Sequence, residues 1–102
     1  VGHRHSWLKL FIQRLRWAPY DPTWLVELAS AQEPGEPWLA DALARSTRGA
    51  WECEAYLYFI DPKARVAAFG ENVVLESPTE GDLVLDILVD RSVAGVEFLS
   101  RL

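Results

Sequence analysis

The chain has a single cysteine, Cys53, in 102 residues, so no disulfide can close within it, and such sparing use suits a reducing compartment like the cytoplasm. The flanking Glu52 and Glu54 oppose thiolate formation, which leaves Cys53 as a small strand residue rather than a reactive one. Long apolar runs are missing too. None approaches the ~20 residues needed to span a bilayer, which excludes a transmembrane helix from expectation. The opening VGHRHSWLKLFIQRLRW mixes bases with apolar residues, unlike the charged head and unbroken apolar stretch of a signal peptide. There is no Gly-rich phosphate loop, no Gly-x-Ser-x-Gly and no metalloprotease motif. The sequence therefore assigns no catalytic residue and no cofactor, and it leans away from an enzyme. His3 and His5 could offer two imidazoles, but a bound zinc takes three or four ligands, and no cluster completes the set.

Charge is absent in a patterned way. Residues 1–20 hold Arg4, Lys9, Arg14 and Arg16 and no acid, whereas the rest of the chain carries six bases and fifteen acids, for a net charge of -5. Binding a phosphate backbone needs clustered bases to release counterions, so the acidic bulk argues against a nucleic-acid partner. Half the residues are apolar and a quarter charged, an ordinary globular balance for one domain spanning residues 1–102.

Two textures divide that domain, a mainly helical half over 1–49 and a mainly β half over 50–102. From Ser6 to Trp17 the polar Lys9, Gln13 and Arg16 recur at helical spacing, with Trp7, Leu8, Phe11, Ile12 and Leu15 opposite. That pattern predicts an amphipathic helix capped by Ser6 and ended by Ala18-Pro19, with an edge strand as the alternative. Asp21-Pro22 and Glu36-Pro37 each read as helix starts, and each precedes a Trp-Leu pair, Trp24-Leu25 and Trp38-Leu39. An αα-hairpin follows, its second helix burying Trp38, Leu39, Ala42 and Leu43 and turning Asp41, Arg45 and Arg48 to water.

After Gly49, residues Trp51–Ile60 read as one strand, Arg65–Phe69 as a short partner and Val73–Leu75 as another, with turns at Asp61-Pro62-Lys63, Gly70-Glu71-Asn72 and Pro78–Gly81. The stretch Gly81–Leu99 predicts a hairpin that organises the whole. Leu83, Leu85, Ile87 and Val89 form its core side, and the return strand carries Ala94, Val96 and Phe98. Gly95 inside that strand predicts a bulge or a close neighbour. The acids Asp82, Asp86, Asp90 and Glu97 read as a solvated face. The fold expected is thus a two-layer α+β domain, with N-terminal helices packed on a C-terminal antiparallel β-meander.

Leu85-Asp86-Ile87, the turn at Asp90 and Ala94-Gly95-Val96-Glu97-Phe98-Leu99 resemble the hairpin of DUF2283, a family of small bacterial proteins of unknown function. Ala55-Tyr56-Leu57-Tyr58 is similar to its early strand. The resemblance covers about residues 51–100 and implies a small bacterial β-sheet domain without an assigned activity. Arg91 stands where the family turn has glycine, which implies a different turn type or local strain.

Five tryptophans, Trp7, Trp17, Trp24, Trp38 and Trp51, fall within 51 residues, more indole than so small a core buries fully, and Trp concentrates at interfaces. Trp17 and Tyr20, flanking a proline turn and next to Arg14 and Arg16, make the candidate interaction face. The function expected is a cytoplasmic protein-interaction module of regulator, antitoxin or immunity type. Its partner is another protein or a second copy, a homodimer being preferred. The competing reading is a small-ligand protein or enzyme with a pocket between helices and sheet.

Overall fold

The computed structural model describes residues 14–102. Among these, two helices and a six-stranded antiparallel sheet account for the regular structure. In chain order the elements are β1 (Ala18–Pro19), α1 (Thr23–Gln32), α2 (Pro37–Ala44), β2 (Arg48–Cys53), β3 (Tyr56–Tyr58), β4 (Phe69–Ser77), β5 (Gly81–Leu88) and β6 (Val93–Phe98), closed by a 3-10 turn over Leu99–Arg101.

This arrangement corrects the expected one. The helices do not form an N-terminal layer ahead of a meander: they lie between the first two strands, so the sheet begins before them. The strand order is β1-β2-β3-β6-β5-β4. β3 pairs with β6, not with β4, and residues 59–68 carry the chain across to the far edge. Arg14–Trp17, expected at the end of a helix, is not helical and leads into β1, where Ala18 and Pro19 pair with Gly49 and Arg48. The rest of that expected helix, Ser6–Gln13, lies outside the described residues. Trp51–Ile60 is not one strand but the end of β2, a turn at Glu54-Ala55, and β3, with a bulge between Trp51 and Cys53. Arg65–Ala68 is not a strand; β4 starts at Phe69.

The helical hairpin forms where the sequence puts it. The Asp21 carboxylate accepts the Thr23 N–H at 3.0 Å and its hydroxyl at 2.6 Å, satisfying a donor that the first helical turn leaves without a partner. Leu25 and Ala29 of α1, with Leu39, Ala42 and Leu43 of α2, are buried. They meet Leu57, Leu75, Leu83, Leu85, Ile87, Val96 and Phe98 in one core, so the helices cover one face of the sheet. The alternation of β5 dictates this, because its odd positions are all apolar.

The β5–β6 hairpin forms as expected, except that Val89, expected on its core side, lies past the end of β5 and is exposed. Its turn is made without glycine: Arg91 has φ 66°, a conformation that costs an L-residue energy. Asp90 holds it by accepting the Ser92 N–H at 3.0 Å and the Ser92 hydroxyl at 2.5 Å, and these bonds keep its carboxyl below the usual range. The Arg91 guanidinium lies 4.7 Å from the Trp38 ring centre, a cation–π contact that ties the turn to α2. The β4–β5 turn does use glycine, Gly81 at φ +76°, for which a missing Cβ removes the penalty.

Candidate interaction surface

The second face of the sheet, away from the helices, is polar and mostly buried. Cross-strand partners share a face, so the pairs Asn72↔Asp86, Val74↔Val84, Asp86↔Gly95 and Tyr58↔Gly95 place these residues together. Asp86, expected in a solvated acidic face, is 4% exposed, and Glu97 is likewise buried. Asp82 and Asp90 remain exposed. The Asp86 carboxylate accepts a short hydrogen bond from the Tyr56 hydroxyl and one of 2.6 Å from the Asn72 amide. Tyr58 donates to Glu52 at 2.7 Å, and the two tyrosine rings meet edge to face at 4.8 Å.

Gly95 makes that network possible. A Cβ there would lie 2.6 Å from the Leu57 carbonyl oxygen and 2.7 Å from the Tyr56 ring and hydroxyl. The tyrosine therefore crosses β6 through the space a side chain would take. Burial, then the Asp86 carboxylate, push the Tyr56 phenol well above its ordinary value. Burial and the bond to Glu52 do the same to Tyr58. Phenols so raised stay protonated donors and are poor nucleophiles. The network joins strands instead of activating a group. Its signal in the sequence was the apolar company of Asp86 on its own face, Val84 and Leu88.

The two edges of the sheet differ. β1 is two residues long and ends in proline, which has no N–H to offer a further strand. β4 is nine residues long. At Glu76 the side-chain amide of Gln32 imitates a neighbouring strand, donating to the Glu76 carbonyl at 2.7 Å and accepting its N–H at 2.8 Å. Those groups therefore point away from β5. By the alternation of an antiparallel ladder, the N–H and C=O of Asn72 and Val74 point the same way. Val74 is 52% exposed and Phe69 48%, with the exposed Val89 close to Phe69 because its N–H donates to the Ala68 carbonyl.

The predicted interaction residues separate. Arg14 and Arg16 are exposed and Trp17 half-buried, together on the approach to β1. Tyr20 is half-buried against the core: its ring lies 5.6 Å from Phe59, its oxygen accepts the Trp24 indole N–H at 2.9 Å, and its N–H donates to the Thr47 carbonyl. Burial raises its phenol. The described tryptophans sit at the core margin, as their number predicted: Trp17, Trp24 and Trp38 are half-buried and Trp51 is exposed. Trp51 packs on Phe98 and takes the Arg101 guanidinium over its ring at 5.5 Å. The expected pair β5–β6 with its glycine was legible, but the exposed β4 edge was missed, because Asn72 fell in an expected turn.

A cleft between α2 and the sheet, lined by Ala42, Arg45, Ser46, Phe59, Ile60, Ser92 and Val93, holds about 100 Å³. Small-molecule sites usually enclose ~300 Å³ or more. Among the described residues no group of three or more His, Cys, Asp or Glu is placed to hold a metal ion; His3 and His5 lie outside them. No helix among the described residues is long and apolar enough to cross a membrane. Comparison with protein-family models, curated proteins and solved structures finds no match to this chain.

Proposed function

We propose that this chain is a small cytoplasmic protein-interaction module, of the regulator, antitoxin or immunity kind, and that it binds through the edge of β4. The observation that carries the reading is the outward-facing backbone of Asn72 and Val74 beside the exposed side chains of Val74 and Phe69. An extended segment can add to such an edge, with main-chain bonds giving affinity and alternate side chains giving selectivity. Sheet edges left this open are otherwise a liability that proteins blunt with charge, proline or cover. Here Gln32 covers one position, and among the described residues none bonds outward to the next two. The cleft under α2 suits a few water molecules or one side chain better than a metabolite.

The test sets wild type against Val74→Lys, which places a flexible charge at the edge. A protein captured by wild type and lost by the variant supports the reading. Marked thermal stabilisation by a metabolite, with quenched tryptophan fluorescence, overturns it in favour of a ligand site.

A further inference from the structure

Resting on that reading, we infer that the occupant of the β4 edge is a second copy of this chain, which lays its Arg14–Trp17 segment along residues 70–74 in a head-to-tail arrangement. The first support is charge. From Phe69 to Leu88 the chain has five acids and no base, while residues 1–20 have four bases and no acid. Glu71, Glu76 and Asp82 are exposed at the β4 side, and Arg14 and Arg16 are exposed at the β1 side. Opposite charges on paired strands attract, and like charges repel.

The second support is conformation. Arg14–Trp17 lies outside any helix and runs directly into β1, and its burial alternates, with Arg14 and Arg16 exposed and Leu15 and Trp17 half-buried. That is the pattern of a strand with bases on one side and apolar residues on the other. With Leu15 and Trp17 set against Val74 and Phe69, Arg14 and Arg16 fall on the other face, that of Glu71, because Glu71 pairs with Ile87 whereas Val74 pairs with Val84. The lengths agree as well, since Gln32 occupies Glu76 and Pro19 ends the other segment, so only a short ladder can form between them.

The third support is topology. β1 and β4 are opposite edges of one sheet, five strand spacings or roughly 24 Å apart, so the two complementary edges cannot pair within one molecule. They can pair only between molecules. A two-fold β4–β4 contact would instead set two acidic edges, each with Glu71 and Glu76 exposed, against one another. The contact is therefore heterologous. It does not close at two subunits, and assemblies grow with concentration.

Sedimentation of the full chain decides this, using wild type, Val74→Pro and the double variant Arg14→Glu, Arg16→Glu. The Val74 N–H points outward, so proline removes no bond to β5 but blocks an added strand. Wild type should grow beyond the dimer as concentration rises and dissociate as salt screens the charges. Each variant alone should remain a monomer. An equimolar mixture of the two should form a heterodimer and stop there, because each supplies the edge the other has lost. Should Val74→Pro fail to fold, Val74→Lys takes its place in the same mixture. A wild-type monomer at every concentration overturns the inference, and so does a mixture that stays monomeric while wild type associates. If wild type is a monomer yet captures another protein that Val74→Lys loses, the inference fails and the interaction module stands. If the edge variants change neither behaviour, both fail.

Discussion

The two faces of the sheet are held by different physics. On the helix side Leu57, Leu75, Leu83, Leu85 and Val96 are all fully buried, and burial of apolar surface has no direction, so the fit depends on volume more than on shape. On the other face Tyr56, Asp86, Asn72 and Gly95 are joined by hydrogen bonds and by a gap one side chain wide. There a change of one atom matters. A sheet can thus tolerate substitution on one face and resist it on the other, along the same strand.

That contrast can be broken most forcefully at Leu85, which faces the helices with no exposure. Leu85→Ala should cost about 3–4 kcal/mol by leaving a cavity, while Leu85→Met should cost less than about 1.5 kcal/mol. Urea denaturation of both variants measures the gap between them; equal losses would show a face that depends on shape after all. On the polar face Gly95→Ala should cost about 2–3 kcal/mol, although it adds only a methyl group. The reason is that the Leu57 carbonyl at 2.6 Å is backbone and cannot swing aside. A loss below that of Leu85→Met would remove the contrast.

Tyr56→Phe should come next, at about 1–3 kcal/mol, because it withdraws a donor from the buried Asp86 carboxylate. It is as conservative in volume as Leu85→Met, so the ratio of the two sharpens the comparison directly. The polar face should also be the one that senses alkali. Tyr56 and Tyr58 titrate above the ordinary phenol value when folded, so in the folded state they keep protons that the unfolded chain gives up. Their contribution is therefore complete below about pH 10, the unfolded value, and is lost as pH climbs beyond it. Urea midpoints taken from about pH 8 to about pH 11 should fall more steeply for wild type than for a Tyr56→Phe, Tyr58→Phe variant. The smallest effect should come from Gln32→Ala, about 0.5 kcal/mol, since water can replace its bonds to the exposed Glu76 backbone. Amide exchange at Glu76 should nonetheless quicken.

Much of the helix-side face could be read from the chain. The odd positions of β5, the leucines of the Trp-Leu pairs and the helix start at Asp21-Pro22 each carry a local pattern; Leu83, Leu85, Ile87, Leu25 and Leu39 are buried where it puts them, while Trp24 and Trp38 stay half-buried and the cap position falls on Pro22. The other face was only half legible. Gly95 announced a close neighbour, but the neighbour, Tyr56, is distant in sequence, and Asp86 looked like any acid on a strand. Of the candidate face, Arg14 and Arg16 are exposed, and Trp17 and Tyr20 are both half-buried, the partial exposure expected of that pair, while the contacts of Tyr20 with Phe59 and Trp24 were not legible. The helical spacing before Trp17 was overruled within Arg14–Trp17 by pairing of Ala18 and Pro19 with β2.

Periodicity, capping residues and turn chemistry act over a few neighbours, so the sequence by itself determined the helical hairpin, the β5–β6 hairpin, the opposed charges of its two ends and the surplus of indole. Which strands pair is settled by contacts between residues far apart in the chain. Only the tertiary structure decided that β3 joins β6, that the helices sit inside the sheet's chain order, and that an acidic edge and a basic one end up on opposite sides of a single molecule.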